Sequence, residues 1–277
     1  MEDKLNGRTV AITGAARGIG LATARALHRA GARVAIGDVD PDGVARAAEA
    51  FGAGALTHLL DVTDEASFEA FLDRAESELG PLSVLINNAG VMPIGPLLDE
   101  PSAVTRRMLE INVLGYLTGM RLAIARMRRH GGGHIVNMAS VAGRSPVPGG
   151  VSYSASKAAV LAMTESARVE FAGQGITFSA ILPANTRTDL VAGTRAARFV
   201  PLVEPEDVAE AVVTAITRGK PDVYVPRSGG AILKFQALTG RRVRDRMNRM
   251  LGIDRMMLDY DEGARAEYES RMSRPPA

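Results

Sequence analysis

The stretch Thr9-Val-Ala-Ile-Thr13-Gly14-Ala-Ala-Arg17-Gly18-Ile19-Gly20 decides the fold of this chain of 277 residues. It begins as an apolar run, which is typical of a buried strand, and it leads into a segment of helical periodicity from Ile19 to Arg29. Glycines between a strand and a helix let backbone N–H groups approach a pyrophosphate at the helix N-terminus. The motif indicates a dinucleotide site, although a glycine cluster alone is equally typical of a turn.

An acidic residue supports the dinucleotide interpretation. Asp38 ends the next apolar run, Arg33-Val-Ala-Ile-Gly-Asp38, and lies 18 positions after Gly20. In dinucleotide-binding folds, a carboxylate at this point accepts hydrogen bonds from the adenosine ribose hydroxyls. The glycine motif and Asp38 together favour a dinucleotide site over a simple turn.

A second motif carries acid–base chemistry. Tyr153-Ser-Ala-Ser-Lys157 places a phenol and an ammonium four residues apart, which is one face of a helix. A phenol titrates at about pH 10, and a cation held close favours the phenolate and brings its pKa toward the working range. Ser140 closes the strand-like run His134–Ser140, where its hydroxyl can meet a substrate oxygen.

With these motifs in place, the chain resembles the short-chain dehydrogenase/reductase family over roughly residues 7 to 226. Further segments agree with the family's pattern in the right order. Asp61-Val62 is similar to the family's adenine-contacting pair, and Asn87-Asn88-Ala89-Gly90 is similar to its turn beside the cofactor. Asn112 stands at the place of its catalytic asparagine. Pro183-Ala-Asn-Thr-Arg-Thr188 is similar to its Pro-Gly segment, whose threonine touches the nicotinamide carboxamide. One departure is Ala184, where the family usually has glycine.

The resemblance implies a nicotinamide-dependent alcohol dehydrogenase or carbonyl reductase with four catalytic residues. Tyr153 takes the hydroxyl proton, Lys157 lowers the Tyr153 pKa and binds the nicotinamide ribose, and Ser140 orients the substrate oxygen. Asn112 holds a water that links Lys157 to solvent. The expected cofactor contacts are Gly14, Arg17, Gly18, Ile19, Gly20, Asp38, Asp61, Val62, Asn88, Ala89, Gly90, Tyr153, Lys157, Pro183 and Thr188.

The expected cofactor is NAD(H), with NADP(H) as the alternative. The Asp38 carboxylate repels a 2′-phosphate and binds the hydroxyls that NAD presents. Arg17 argues for NADP, since a basic residue in the glycine turn often accompanies it in similar enzymes. A direct ribose contact outweighs a loop cation, so NAD is favoured.

Short β-branched runs alternate with helix-period segments, which predicts an α/β fold with a doubly wound parallel sheet, Rossmann-like, and helices on both faces. Near-continuous apolarity in the runs fits strands that are buried on both faces. The strands are predicted at about 9–13, 33–37, 55–60, 82–86, 134–139, 176–182 and 222–226, and the helices at 18–30, 41–51, 64–79, 100–130, 152–173 and 205–218.

Composition excludes several classes of site. The chain has no cysteine, and its four histidines are scattered, so neither a disulfide nor a metal site is expected. No long apolar run predicts a transmembrane span, and the start of the sequence lacks a signal-peptide pattern, so a cytoplasmic location is expected. No nucleic-acid partner is expected.

Other functions fit parts of the pattern. A sugar-nucleotide epimerase or dehydratase also carries a glycine motif and Tyr-x-x-x-Lys, but it usually shows Gly-x-x-Gly-x-x-Gly and a longer C-terminal domain. A non-catalytic dinucleotide-binding protein would tolerate loss of a catalytic residue, yet all four are present. An NADP-dependent carbonyl or 3-oxoacyl reductase stays as the main alternative.

The loops expected to border the substrate are apolar, which predicts a lipophilic alcohol or ketone of the hydroxysteroid, retinol or long-chain alcohol type. These loops are Val91-Met-Pro-Ile94, Val141, Pro146-Val-Pro148, Leu190-Val191 and Phe199-Val200, with Arg144, Arg187, Asp189, Arg195 and Arg198 as their charged residues.

Residues 1–230 are predicted to form the dinucleotide-binding and catalytic domain, and residues 231–277 a helical extension packed on it. Segment 231–256 carries seven basic and two acidic residues among apolar ones. Such a helix can cap the substrate cleft, form an oligomer contact or lie on an anionic membrane surface. Capping is favoured here, and peripheral membrane contact is the alternative.

A homodimer or homotetramer is also expected. Segments 103–130 and 152–173 match the long helices that pair across the dimer interface in similar enzymes. Their apolar positions are Val104, Met108, Ile111, Val160, Met163 and Ala167. Ordinary packing on the sheet is the competing explanation for these positions.

Overall fold

All seven strands of the sheet run parallel in the computed structural model, which describes residues 5–195 and 202–272. They are β1 (Thr9–Thr13), β2 (Arg33–Asp38), β3 (Ala55–Leu59), β4 (Leu82–Asn87), β5 (Gly133–Met138), β6 (Ile176–Pro183) and β7 (Asp222–Val225). Their order across the sheet is β3-β2-β1-β4-β5-β6-β7. The winding direction therefore reverses between β1 and β4, where a crevice forms at the carboxyl ends of the strands. The predicted fold class is confirmed.

Helices cover both faces of the sheet. They are α1 (Gly18–Arg29), α2 (Pro41–Phe51), α3 (Glu65–Leu79), α4 (Ser102–Leu109), α5 (Gly115–Arg129), α6 (Val151–Glu170), α7 (Pro205–Arg218), α8 (Arg227–Leu238), α9 (Arg241–Leu251) and α10 (Glu262–Met272). One core lies between the sheet and α1, α2 and α7, and a second lies under α3 and α5. Val10 and Ile12 face the first core and Ala11 faces the second, as the two-residue period of a strand requires. Burial on both faces explains the continuous apolar runs.

A π-helical turn interrupts the long helix that periodicity predicts over 100–130. Residues Glu110–Leu114 form this turn, and the N–H of Gly115 donates to the carbonyl of Glu110. The helix is therefore α4, the π turn and α5. Turns of this kind are rare and are frequently found at functional sites. Hydrophobic periodicity has no signal for them, so the prediction gave one unbroken helix.

The C-terminal segment forms three helices. α8 packs beside β7, and α10 packs on the loop at Asp189–Val191. The expected boundary at residue 230 falls within α8, and the division into two domains stays a prediction. The sequence predicts one basic amphipathic helix over 231–256, and the structure divides this segment at Gly240 between α8 and α9.

Some residues predicted to lie at an oligomer interface belong to the core of the chain itself. Met108, Val160 and Ala167 are buried among neighbouring elements, so their assignment to an interface is wrong. The exposed large apolar side chains of this region are instead Leu109, Leu114, Leu117, Val151 and Val169.

The described helices include none that is both long and apolar enough to cross a membrane.

Candidate active site

A cleft of about 520 Å³ opens at the carboxyl ends of the strands. Every residue predicted to contact the cofactor lines it, from Gly14 in the glycine turn to Thr188 after β6. Ser140, Tyr153 and Lys157 line it as well, while Asn112 is fully buried beside it. The cleft therefore brings the two sequence motifs together, and the individual roles of these residues stay predictions.

The glycine turn presents bare backbone to the cleft. Gly14 has a φ of 63°, and a Cβ added to it would lie 2.6 Å from the Cα of Ala89. A Cβ on Gly20 would collide with the carbonyl oxygen of Gly14. Only glycine leaves room here, so the N-terminus of α1 is open to a ligand, as dinucleotide binding requires.

Asn88 braces this turn from the neighbouring strand. Its side-chain amide donates to the carbonyls of Thr13 at 3.0 Å and Gly14 at 2.8 Å. The N–H groups of Asn88 and Ala89 both donate to the Thr13 hydroxyl at 3.0 Å. The Asn88 side chain thus fixes the conformation of the glycine turn. The Thr13 hydroxyl also holds this turn against the segment after β4, although Thr13 was not among the predicted site residues.

Asp38 and Arg17 are both held by neighbours. The Asp38 carboxylate accepts hydrogen bonds from the N–H groups of Ala16 at 3.0 Å and Asp40 at 3.1 Å. Arg17 forms an ion pair of 2.7 Å with the carboxylate of Asp40, and Arg46 lies 3.7 Å from the same oxygen. Asp40 was missed by the sequence reasoning, although it stands only two residues after Asp38.

Asp61 and Val62, the pair expected to contact the adenine, line the cleft after β3. One carboxylate oxygen of Asp61 accepts from the N–H and the hydroxyl of Thr63, at 2.9 and 2.8 Å. Arg107 lies 3.7 Å from the other oxygen. These contacts fix the turn after β3, and Val62 packs against Gly115 at the start of α5.

The catalytic candidates converge around Tyr153. The helix α6 carries Tyr153 and Lys157 one turn apart, both buried, and Ser140 lies within hydrogen-bonding reach of the phenol. The Nζ of Lys157 donates to the carbonyl of Met138 at 2.8 Å. It lies 5.9 Å from the centre of the Tyr153 ring and 5.3 Å from that of Tyr116.

Burial dominates the proton affinities of this pair. It raises the pKa of Tyr153 to about 12, and the hydrogen bond with Ser140 acts in the opposite direction. It lowers the pKa of Lys157 to about 7. Lys157 contributes to neither of these opposing effects on Tyr153, and its expected role in lowering the Tyr153 pKa stays a prediction.

Asn112 lies in the π turn and is fully engaged there. Its side-chain oxygen accepts from the N–H of Val91, and its amide donates to the carbonyl of Val91, each at 2.9 Å. The amide also donates to the hydroxyl of Ser156 at 3.2 Å. Asn112 thus ties the loop after β4 to α6, and its role in holding a water stays a prediction.

Several loop residues that are expected to border the substrate form an apolar cluster in the cleft. Val91, Met92, Val147 and neighbouring side chains form a cluster with Tyr153. Four of the charged residues expected there are paired: Arg144 with Glu165, Arg187 with Glu204, Asp189 with Arg271, and Arg195 with Asp259. Arg198, Phe199 and Val200 lie outside the described residues.

The C-terminal extension supplies site residues that the sequence reasoning did not name. Met256, Met257, Tyr268, Arg271 and Met272 line the cleft. Composition showed apolar residues in the extension, but it gave no signal for which of them reach the site, because that depends on how α10 folds back.

Known proteins are similar to this chain in sequence or in structure. A family model described as short chain dehydrogenase matches residues 8–198. A cis-4-hydroxycyclohexanecarboxylate dehydrogenase of Sinomonas cyclohexanicum is 44% identical over 74% of this chain and 87% of its own length. A 3-alpha-(or 20-beta)-hydroxysteroid dehydrogenase of Mycobacterium tuberculosis is 36% identical over 69% and 73% of the two chains. The solved structure of a short chain dehydrogenase/reductase from Burkholderia phymatum in complex with NAD is similar with a TM-score of 0.76, at 27% identity over 83% and 93%.

Proposed function

The chain belongs to the short-chain dehydrogenase family and is an oxidoreductase acting on CH–OH groups, and we propose that it transfers a hydride between NAD and a lipophilic secondary alcohol. One observation carries this proposal. Ser140, Tyr153 and Lys157 lie in the same cleft as the bare N-terminus of α1, at the carboxyl edge of the sheet.

The residues present fit a nicotinamide dinucleotide. The glycine turn offers backbone N–H groups to the pyrophosphate, and the Asp38 carboxylate suits the ribose hydroxyls. Lys157, Pro183 and Thr188 line the same cleft, and the family resemblance implies that they contact the nicotinamide half. When bound, the cofactor supplies the hydride acceptor for oxidation of the alcohol.

The side chains of the cleft handle the proton. In oxidation, Tyr153 in its phenolate form takes the hydroxyl proton and becomes the neutral phenol. Ser140, within hydrogen-bonding reach of Tyr153, orients the substrate oxygen and stabilises its developing charge. Lys157 places its ammonium beside both groups and favours the phenolate when it is protonated. Asn112 holds the Val91 loop against α6, and this contact fixes the position of the helix that carries Tyr153 and Lys157.

NAD is favoured over NADP. A 2′-phosphate would meet the carboxylate of Asp38, which is held in place by two backbone N–H groups. Arg17, the group that argues for NADP, is already neutralised by Asp40. An NADP-dependent reductase is the second candidate, since Arg17 still lines the cleft.

The substrate class that we favour is an alicyclic secondary alcohol. The substrate side is apolar, and the charged groups at its margin are paired with one another. The names of the two relatives describe hydroxyl groups on a cyclohexane and on a steroid skeleton, and both skeletons are alicyclic. These findings support a ring alcohol over a linear one.

A substrate panel tests the proposal. The rate of nicotinamide reduction, followed by absorbance, is measured with cyclic and linear secondary alcohols of equal carbon number, each with NAD and NADP. We expect the highest kcat/KM for a cyclic alcohol with NAD. The proposed reaction would be refuted if the enzyme oxidised none of the alcohols and reduced none of the corresponding ketones.

A further inference from the structure

Tyr268 places a second phenol in the catalytic cleft. It belongs to α10, it is 7% exposed, and it lines the same cleft as Tyr153. Burial raises the pKa of Tyr268 to about 12, and the nearby Tyr153 contributes to the rise. The two phenols are thus close enough to influence one another, and Tyr268 is protonated at neutral pH.

The position of this phenol is fixed. The N–H of Met92 donates to its oxygen at 2.7 Å, and the guanidinium of Arg265 lies 4.7 Å from its ring centre. Arg265 is itself fully buried, and it donates to the carbonyls of Leu190 and Ala192 at 3.0 and 3.1 Å and to the carbonyl of Met92. Tyr268 is therefore held by the two loops that border the substrate side.

Within the side chains that the structure describes, the hydroxyl of Tyr268 donates to no protein acceptor. The bond from Met92 uses the phenol oxygen as an acceptor, and this leaves the proton free to donate. Buried donors are almost always satisfied by a protein group, a water or a ligand. A donor of this kind in a ligand cleft points to a partner on the ligand.

The one charged side chain that the described part of the C-terminal segment contributes to the cleft does not serve this purpose. Arg271 is paired with Asp189 at 2.6 Å and with Glu267 at 2.8 Å. The remaining cleft-lining residues of the segment, where it is described, are methionines. Tyr268 is thus its one neutral hydrogen-bond donor to the cleft within those residues.

We infer that Tyr268 determines substrate specificity by donating a hydrogen bond to a second oxygen of the substrate, remote from the hydroxyl that reacts at Tyr153. This inference rests on the proposed function and narrows it. The substrate is then an alicyclic alcohol that carries a further hydroxyl, carbonyl or carboxylate oxygen across the ring. A site built to donate such a bond discriminates against an analogue that lacks the oxygen, because the buried donor is left unpaired.

A pair of ring alcohols of equal shape tests the inference. Cyclohexane-1,4-diol has a hydroxyl where 4-methylcyclohexanol has a methyl group, and kcat and KM are measured for both with NAD. We expect wild-type enzyme to favour the diol in kcat/KM by about tenfold, the value of one hydrogen bond. Tyr268→Phe should abolish this preference by raising KM for the diol. KM for 4-methylcyclohexanol should rise by a much smaller factor, because the change also removes the acceptor of the Met92 N–H.

A matched variant separates recognition from anchoring. Arg265→Met loosens α10 but keeps the phenol and its hydrogen bond from Met92, so it should lower kcat/KM for both alcohols and leave more of the preference for the diol than Tyr268→Phe does. If Tyr268→Phe lowered kcat/KM by the same factor for both alcohols, the inference would be overturned. A preference for the diol that survives the change would also overturn it. Wild-type enzyme that oxidises neither alcohol would overturn the proposed function and this inference with it. If wild-type enzyme oxidised both alcohols with the same kcat/KM, only this inference would be overturned and the proposed function would stand.

Discussion

Burial sets the proton affinities of the titratable residues in the cleft. Lys157 is 4% exposed, and its pKa falls to about 7 because the ammonium loses its hydration. The pKa of Tyr153 rises instead, to about 12, since burial penalises the charged phenolate. The free energy of unfolding must therefore depend on pH through both residues.

Replacing Lys157 with Met should stabilise the protein near neutral pH, and the advantage should shrink as the pH rises toward 10. Between pH 7 and about 10.5, the unfolded chain binds the lysine proton and the folded protein does not. Wild-type stability therefore rises with pH across this window, by at most about 1.4 kcal/mol per pH unit, and the variant lacks this contribution. Tyr116 still donates to the Met138 carbonyl after the change.

Urea unfolding of both proteins across this window measures the difference. Lys220→Met, at an exposed position, is the control and should leave the pH dependence unchanged. Parallel pH curves for wild type and Lys157→Met would show that Lys157 is not desolvated as described.

Asp38 and Asp40 should set cofactor choice by different routes. Asp38→Ala removes the carboxylate that repels a 2′-phosphate. It should therefore lower the ratio of kcat/KM with NAD to kcat/KM with NADP. Asp40→Asn frees Arg17 from its 2.7 Å ion pair and should raise kcat/KM with NADP by about tenfold.

The second effect must depend on Arg17, so it should vanish in Arg17→Ala/Asp40→Asn. Comparing kcat/KM for NAD and NADP across the single and double variants measures this coupling. An equal gain with and without Arg17 would contradict the role given to Asp40.

Single residues differed in how well the sequence predicted them. Every predicted cofactor contact lines the cleft, because each motif follows a strand and parallel strands bring their carboxyl ends together. The raised pKa of Tyr153 could not be predicted, since desolvation depends on the tertiary packing of elements distant in sequence. The Arg17–Asp40 pair was missed because it joins two loops that only the folded sheet brings together.

At the scale of whole elements, α10 is the part of the fold that sequence periodicity described least. Strands β1 to β7 were predicted well, because a strand buried on both faces is a short apolar run between glycine turns. The π turn and the return of α10 to the cleft left no such pattern. They are fixed by tertiary contacts, such as those of Asn112 with Val91 and of Arg265 with Leu190.

Arg265→Ala should destabilise the protein by about 3 kcal/mol, because three carbonyls in a buried site lose their donor. It should also raise KM for ring alcohols, since the loops at Met92 and Leu190 lose their common anchor. Chemical unfolding and steady-state kinetics measure the two effects. Arg249→Ala, at an exposed position on α9, is the matched control and should change neither quantity. Unchanged stability of Arg265→Ala would contradict the anchoring role.

At the scale of the whole molecule, we propose that the exposed apolar side chains around the π turn and α5 mediate assembly. Leu114 is 56% exposed and Leu117 is 38% exposed, on neighbouring turns. Burial of such side chains between two copies is favourable by roughly 25 cal/mol per Å². Light scattering should therefore give the mass of a dimer or a tetramer.

Leu114→Asp/Leu117→Asp should shift the protein toward monomer, whereas Leu98→Asp should not. Leu98 is 96% exposed and lies outside these helices, so it controls for the loss of any surface leucine. A monomeric wild-type protein, or an unchanged mass in the double variant, would contradict this interface.

The claim that Tyr153 serves as the acid–base group of an NAD-dependent alcohol dehydrogenase is tested most directly by Tyr153→Phe. The measurement pairs the rate of NADH formation from a cyclic secondary alcohol with the Kd of NADH, for wild type and variant. We predict a loss of about 10²- to 10⁴-fold in kcat with little change in the NADH Kd, because the phenol moves the proton and the glycine turn binds the cofactor. Retention of most of the activity in Tyr153→Phe would contradict this account.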